Sequence, residues 1–173
     1  PAFKKLVTEA KVESVMGAYN RTLDELCCAS KLLLDDILRG EWSFGGHVVS
    51  DCMALSDFHL HHKVTEDAAD SAALALKYGC DLGCDHVFSE IPTAIERGDT
   101  TEALVDRALE RTLGTRFKLG MFDPDEEVPF ASIPMDVVAC EEHRQLAYHT
   151  ATESLVLLKN KNNILPIKPS TKK

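Results

Sequence analysis

Short apolar segments alternate with longer amphipathic ones along this chain, and that alternation constrains the fold more than any other feature. Three segments have the apolar, strand-like character expected of buried β-strands: 12–19, 47–50 and 79–84. Helical spacing of apolar residues is present at 2–10, 30–41, 65–78, 91–97, 101–119 and 140–152. Strands that alternate with helices in this order predict parallel βα units, and therefore an α/β fold.

Helix starts and breaks are predicted from single residues. Ser30, Thr65 and Thr101 stand where a hydroxyl can cap a helix, and Gly98 stands where a helix can end. The Pro- and acid-rich stretch GMFDPDEEVPF is predicted to be a linker, and SLVLLKNKNNILPI a strand, a polar turn and the start of another strand. Three parallel strands neither close a barrel nor make a generous open sheet, so the chain is interpreted as a piece of a larger enzyme.

Composition excludes two classes of partner. The net charge is −9, which opposes nucleic-acid binding because phosphates repel such a field. The longest apolar runs, such as 155–158, are far too short to span a bilayer, so no membrane partner is expected. The first residues, PAFKKLVTEAK, lack the apolar segment of a secretory signal and an initiator Met, and are interpreted as a cut or processed end. No localisation is assigned from them.

Cysteine and histidine patterns do not predict a metal site. The six cysteines, at 27, 28, 52, 80, 84 and 140, do not have the spacing of zinc ligands and are sparse for a disulfide scaffold. We expect them to be reduced, mostly buried thiols. The loop histidines His59, His61 and His62 come without a matching Cys or carboxylate pattern, so neither a metal nor another cofactor is expected.

The run HVVS ends abruptly at Asp51, and the pattern allows two interpretations. In the first, Asp51 caps a turn. In the second, the strand holds a reactive carboxylate in place, as in parallel βα folds whose functional groups follow the carboxyl ends of the strands. The residues alone leave both open.

Five segments in order resemble glycoside hydrolase family 3, the β-glucosidase and β-xylosidase family. They are VESVMGAYN, LLLDDILRGEWSFGGHVVSDC, ALALKYGCDLGC, RTLGTRFKLGMFDP and ESLVLLKNKNNILPI. The resemblance implies a (β/α)8 barrel followed by an α/β sandwich domain. Residues 1–122 then correspond to the last three βα units of the barrel, and 123–173 to the linker and the beginning of the sandwich domain. The other five units and most of the second domain are expected to lie outside this chain.

The resemblance also implies site residues. Asp51 matches the nucleophile of a retaining β-glycosidase, which forms a covalent glycosyl intermediate while a second carboxyl roughly 5 Å away acts as acid and base. Tyr19 and Met16 match positions that line the sugar pocket, and Cys52 stands where many relatives carry a Trp that stacks on sugar. His59 and His62 are expected to shape the loop near the pocket. Asp81 and Asp85 flank the third strand and are expected to have turn or cap roles.

Several motifs depart from the family pattern. Relatives have SYNxxNGxPxxxN where this chain has AYNRTLDELCCAS, and WGFDG where it has WSFGG. SDCGA has become SDCMA, and His61 replaces the Gly of IHxGHK. These changes indicate a divergent specificity or relaxed selection.

The implied substrate is a β-linked oligosaccharide or glycoside with terminal glucose or xylose. The sugar-gripping residues and the acid/base glutamate are expected outside this chain, so we expect the isolated chain not to hydrolyse glycosides at a useful rate. One alternative is a non-catalytic remnant that binds carbohydrate or a protein. Another is a fragment that associates with itself or with the missing remainder, because parallel strands with unpaired edges seek partners. Glucosidase and xylosidase are not distinguished, and a parent enzyme is expected in the periplasm or outside the cell.

Overall fold

Four short strands form two small sheets in the computed structural model, which describes residues 1–168. Strand β1 (Ser14–Gly17) and strand β4 (His47–Ser50) pair in parallel, with Ser14 opposite His47 and Gly17 opposite Ser50. Strands β2 (Arg21–Thr22) and β3 (Glu25–Leu26) form a small antiparallel hairpin between them in sequence. The two parallel strands are where 12–19 and 47–50 were predicted, although β1 is shorter than its segment.

Helices follow and separate these strands. This mixture of helices and strands confirms the α/β class. The longer helices are Ala2–Thr8, Lys31–Glu41 (with π-type hydrogen bonds), Asp57–Leu60, Ala68–Tyr78, Ile91–Arg97, Glu102–Lys118 and Glu141–Ser154. Single 3₁₀ turns are present at Cys27–Ala29, Val87–Glu90, Asp125–Glu127, Met135–Val137 and Lys161–Asn163.

Of the four predicted helix ends, Ser30 and Gly98 are confirmed and Thr65 is wrong. Thr101 stands directly before the helix Glu102–Lys118, as predicted, but its hydroxyl makes no capping hydrogen bond. The Ser30 hydroxyl accepts a hydrogen bond from the Leu33 amide at 3.0 Å, and Gly98 ends its helix with a left-handed φ of 82°. Thr65 does not cap the next helix, which begins three residues later at Ala68 with Asp67 as its cap. The Thr65 hydroxyl is instead hydrogen-bonded to the Ser71 hydroxyl. A carboxylate accepts amide hydrogen bonds at least as well as a hydroxyl, so the later cap is chemically equivalent.

The third predicted strand, 79–84, is wrong as a strand. Only one parallel bridge, between Val49 and Leu82, joins this segment to β4. The Val48 amide, which would continue the ladder, donates instead to the carboxylate of Asp81 at 2.8 Å. A side chain therefore replaces a backbone carbonyl, and the ladder stops after one step. We call residues 79–84 the third segment.

Two apolar clusters form the core around this small sheet. One lies between the third segment and the helix Ala68–Tyr78, and it includes Leu26, Cys28, Leu55, Phe58, Ala72 and Cys80. The other lies beside β1 and β4, and it contains Val7, Leu34, Leu38, Phe44 and Val48. Burial of these side chains holds the carboxyl ends of β1 and β4 at a fixed place.

Contacts divide the chain into two units, Pro1–Pro124 and a second that begins at Asp125. In the second unit the helix Glu141–Ser154 is followed by an exposed segment without regular strand structure, so the strand prediction for SLVLLKNKNNILPI is wrong. A strand needs a hydrogen-bonded neighbour, and the described residues supply none to it. The last five residues of the predicted second domain, 169–173, lie outside the described residues, and the two domain assignments remain predictions.

Among residues 1–168, none of the helices has both the length and the apolar character needed to cross a bilayer.

Candidate active site

Asp51 follows β4 directly, at the edge of the sheet where the carboxyl ends of both parallel strands meet. Its backbone amide donates to the Gly17 carbonyl at 2.8 Å, which continues the β1–β4 ladder by one residue. Its side chain is half-buried, and Oδ1 accepts a hydrogen bond from the Cys52 amide at 2.7 Å. Within residues 1–168 no protein donor bonds to the other oxygen, Oδ2. The carboxylate is therefore positioned through one oxygen and has the second available.

Two other predicted site residues belong to β1 and the loop after it. Met16 pairs in register with Val49, two residues before Asp51, and its side chain is 59% exposed. Tyr19 lies two residues beyond the end of β1 and is 60% exposed. Because β1 and β4 are parallel, the Tyr19 loop and Asp51 lie at the same end of the sheet. Met16 also lines an open apolar cavity beside the helix Lys31–Glu41, together with Leu33.

Cys52 forms a disulfide with Cys84, so the expectation that all six cysteines are reduced is wrong. The two residues are 32 positions apart in sequence, and their Cα atoms lie 4.5 Å apart, within the normal range for a disulfide. Packing of the third segment against β4 brings them together, and local spacing gives no sign of it. Both residues are exposed at the surface. The disulfide joins the loop after Asp51 to the loop after the third segment.

Two of the remaining cysteines lie beneath this loop. Cys28 and Cys80 are fully buried in one apolar cluster. The interaction between the two thiols lowers the pKa of Cys28 from its ordinary value, while the same interaction together with burial raises the pKa of Cys80 well above its own. The Cys28 sulfur also lies so close to Gly17 that a Cβ at that position would be only 2.7 Å from it. A side chain at Gly17 would therefore displace the thiol or β1.

The three loop histidines contact different partners. His62 donates from Nε2 to the carbonyl of Tyr19 at 2.9 Å, and so ties the loop after Asp51 to the loop after β1. His59 is hydrogen-bonded through Nδ1 to the Ser71 hydroxyl at 2.9 Å, and His61 contacts the Asp57 carboxylate. His62 thus holds together the two loops that carry predicted site residues.

Asp81 has a larger role than the turn or cap that we expected. Its side chain is 1% exposed, and it accepts from Arg39 at 2.7 Å and from Arg111 at 2.9 Å, in addition to the Val48 amide. Burial lowers the pKa of the Arg39 guanidinium, and the charge of Asp81 opposes that shift. Sequence analysis missed the two arginines. An acid enclosed by the apolar residues of GCDLG was the one available signal of a buried cation.

Asp85 does have the predicted structural role. One carboxylate oxygen accepts from the amide and the hydroxyl of Ser56 at 3.0 and 3.2 Å, and the other accepts from the Val87 amide at 3.0 Å. All of these donors hold the loops in place, so Asp85 is not free to act on a ligand.

Comparison with known proteins identifies the family of the chain. The profile of the "Glycosyl hydrolase family 3 N terminal domain" matches residues 1–114. The chain is 42% identical to the xylan 1,4-β-xylosidase of Xylanibacter ruminicola over 175 aligned residues, which cover 100% of this chain and 20% of that protein. It is also 42% identical to a probable exo-1,4-β-xylosidase of Aspergillus clavatus over 172 residues, 97% of this chain and 22% of that protein.

Solved structures agree with these sequence relatives. An exo-β-xylosidase in complex with a xylobiose aziridine probe superposes with a TM-score of 0.84 at 30% identity, covering 97% of this chain and 22% of that one. A β-glucosidase from Listeria innocua in complex with gluconolactone gives a TM-score of 0.79 at 30% identity, over 96% and 23% of the two chains. The chain spans about a fifth of the length of the relatives that it matches. The chain belongs to glycosyl hydrolase family 3.

Proposed function

We propose that the chain is part of an exo-acting retaining β-glycosidase that releases terminal β-linked glucose or xylose, with Asp51 as the nucleophile. The observation that carries the proposal is the position of Asp51 at the carboxyl end of β4, with one oxygen held by the Cys52 amide and the other unbonded among the described residues. A glycosidase nucleophile needs this combination of a fixed carboxylate and a free attacking oxygen.

The proposed mechanism has two steps. In the first, Oδ2 of Asp51 attacks the anomeric carbon, the glycosidic bond breaks, and a covalent glycosyl ester forms. A second carboxyl protonates the leaving oxygen and then activates the water that hydrolyses the ester. We assign that acid/base to a part of the enzyme outside this chain. Met16 in β1, Tyr19 in the loop after it and Cys52 beside the nucleophile are proposed to face the sugar.

The proposed domain architecture is consistent with a nucleophile inside this chain and an acid/base outside it. Residues 1–122 are assigned to the last three βα units of a (β/α)8 barrel, and residues 123–173 to the linker and the beginning of an α/β sandwich domain. The share of the relatives that the chain covers, about a fifth, supports this division. The isolated chain is then expected to be inactive, because it lacks both the acid/base and most of the sugar-binding surface.

The first test measures hydrolysis by the isolated chain. We expect release of nitrophenol from nitrophenyl β-glucoside or β-xyloside to be no faster with the chain than with its Asp51→Asn variant. Turnover by the chain that the substitution abolishes would show that the chain is catalytically complete. Sugar binding by the isolated chain, measured by calorimetry, is expected to be weak or undetectable.

The second test supplies the missing parts. The chain replaces the matching fifth of the Xylanibacter ruminicola xylosidase, and hydrolysis of a nitrophenyl β-xyloside is measured. We expect an active chimera in which Asp51→Asn lowers kcat by at least about 10³-fold, because the covalent step is lost. A xylose-configured aziridine probe is expected to label the peptide that contains Asp51, as detected by mass spectrometry.

Asp57→Asn is the matched control in that chimera, because Asp57 is a nearby carboxylate, at the start of the helix Asp57–Leu60, whose partner is His61. We expect its kcat to stay within about twofold of the parent chimera. An active chimera that keeps its rate with Asn at position 51, or that is labelled at another residue, contradicts the assignment of the nucleophile. If the chimera binds sugar but neither hydrolyses the nitrophenyl β-xyloside nor is labelled by the aziridine probe, the non-catalytic alternative is favoured.

A further inference from the structure

The turn that follows Asp51 has an unfavourable backbone conformation. Met53 has a φ of 66°, in the left-handed region that side chains other than glycine rarely adopt. Its side chain is 54% exposed, so packing of that side chain does little to offset the strain. Contacts elsewhere must therefore hold the turn in this form.

Two contacts attach the turn to the third segment. The Met53 amide donates to the Cys84 carbonyl at 3.2 Å, and the Cys52–Cys84 disulfide crosses between the same two loops. Cys84 is itself fixed, because its amide donates to the buried Ser50 hydroxyl at 2.9 Å. The disulfide is thus a covalent link between the strained turn and a part of the chain that is anchored to β4.

The same turn orients the proposed nucleophile. The Cys52 amide, one residue before Met53, is the donor to Oδ1 of Asp51, and the Ala54 amide donates to the Asp51 carbonyl at 3.1 Å. If Met53 returned to a negative φ, the peptide between Cys52 and Met53 would flip and the Met53 amide would leave the Cys84 carbonyl. Cys52, whose amide holds the Asp51 carboxylate, would then lose its attachment to the third segment, so the hold on Asp51 depends on the closed turn.

We propose that the Cys52–Cys84 disulfide is a redox-sensitive clamp that holds this turn in its strained form and so fixes the orientation of the Asp51 carboxylate. The inference rests on the proposed function only in treating Asp51 as the reacting group. Because both cysteines are exposed, small thiols in solution can attack the bond. A dithiol reductant gives two electrons and two protons to the two sulfurs, leaves two thiols, and is itself oxidised to a disulfide. The clamp is closed in an oxidising compartment and open in a reducing one.

The test compares amide hydrogen exchange, resolved by residue with NMR, in the oxidised chain and in the chain reduced with dithiothreitol. We expect the Cys52 and Met53 amides to exchange about tenfold faster or more after reduction, which is the scale of one strained residue released. The Asp51 amide is expected to keep its protection, because it belongs to the β1–β4 ladder. Amides in the helix Ala68–Tyr78 report that the fold is intact and are expected to be unchanged.

Met53→Gly is the variant that separates strain from simple cross-linking. Glycine adopts the left-handed conformation without cost, so the turn should persist when the disulfide opens. We expect reduction to change exchange at position 52 by less than about threefold in this variant. The double variant Cys52→Ser, Cys84→Ser is expected to exchange like the reduced chain and not to respond to dithiothreitol.

Three results would overturn the proposal. In the first, reduction leaves the exchange rate of the Cys52 amide unchanged. In the second, reduction raises the exchange rates of all amides equally. In the third, reduction raises the exchange rate at position 52 as much in Met53→Gly as in the parent chain. If the double serine variant does not fold, reduction of the parent and of Met53→Gly still gives the decisive comparison. None of these measurements uses hydrolysis, so a failure of the clamp and a failure of Asp51 as nucleophile are observed separately.

Discussion

At the scale of single residues, three positions that replace a glycine of the family patterns keep a glycine-like backbone although they carry side chains. The family patterns have glycine where this chain has Asp24, Ser43 and Met53, and these residues have φ values of 66°, 54° and 66°. His61, which also replaces a glycine, has an ordinary φ of −117°. The surrounding structure therefore imposes the left-handed conformation at three of the four sites. Each such residue costs on the order of 1 kcal/mol.

The hairpin turn between β2 and β3 offers a direct test of this strain. Both central residues, Leu23 and Asp24, have positive φ, as a two-residue turn of this kind requires, and Asn-Gly is the preferred pair there. We expect the double substitution Leu23→Asn, Asp24→Gly to raise the free energy of unfolding by about 1 kcal/mol. Urea unfolding followed by fluorescence of the single tryptophan, Trp42, measures it.

Leu119→Asn is the control, because Leu119 is an exposed leucine with an ordinary φ of −79°. It should give no gain in stability. An equal gain in the control would mean that removing an exposed leucine, and not relief of backbone strain, stabilises the hairpin variant.

At the scale of elements, Asp81 decides how the third segment joins the sheet. Its carboxylate takes the Val48 amide that a third strand would have used, and it pairs with Arg39 from the helix Lys31–Glu41 and Arg111 from the helix Glu102–Lys118. One buried side chain thus connects a strand and two helices. The third segment is thus held by this ionic centre as well as by backbone hydrogen bonds to β4.

Removal of that charge should destabilise the first unit strongly. Asp81→Asn leaves two partly buried guanidinium groups without their counter-charge, and we expect it to lower the free energy of unfolding by about 3–5 kcal/mol. Chemical unfolding monitored at Trp42 measures the loss. In contrast, Asp36→Asn breaks an exposed pair with Lys31 and should produce no measurable change. Similar, small losses in both variants would show that Asp81 is not a structural centre.

At the scale of the whole molecule, the chain exposes much apolar surface. Within residues 1–168, β1 pairs on one side only. In the second unit, residues 155–158, with the sequence LVLL, are all exposed, up to 91% at Leu158. Unpaired edges and exposed apolar segments favour association. Self-association, or pairing with the remainder of the parent enzyme, stays a prediction.

We expect the isolated chain to associate with copies of itself as its concentration is raised. Sedimentation velocity or size-exclusion chromatography over a wide concentration range measures the mass. Leu155→Lys together with Leu158→Lys should reduce the association without unfolding the chain, because both side chains are already exposed. Met135→Lys, at an exposed residue outside this segment, should leave it unchanged. A monomer at every concentration contradicts the prediction.

The sequence by itself determined the α/β class, the two parallel strands and the position of Asp51 directly after β4. These features depend on local patterns, namely apolar residues at strand or helix spacing and a polar residue that ends an apolar run. The Ser30 cap and the Gly98 helix end could be predicted for the same reason.

Only the tertiary structure decided the pairing of Cys52 with Cys84, the partners of Asp81 and the left-handed backbone of Met53. Cys52 and Cys84 are 32 residues apart, and Asp81 is 42 residues from Arg39. Which side chains meet over such separations depends on how helices pack against the sheet, and no local pattern encodes it. The same limit explains why the third segment was wrongly predicted as a strand. Its apolar residues fit a strand locally, and only the packed structure shows that the Val48 amide donates to Asp81.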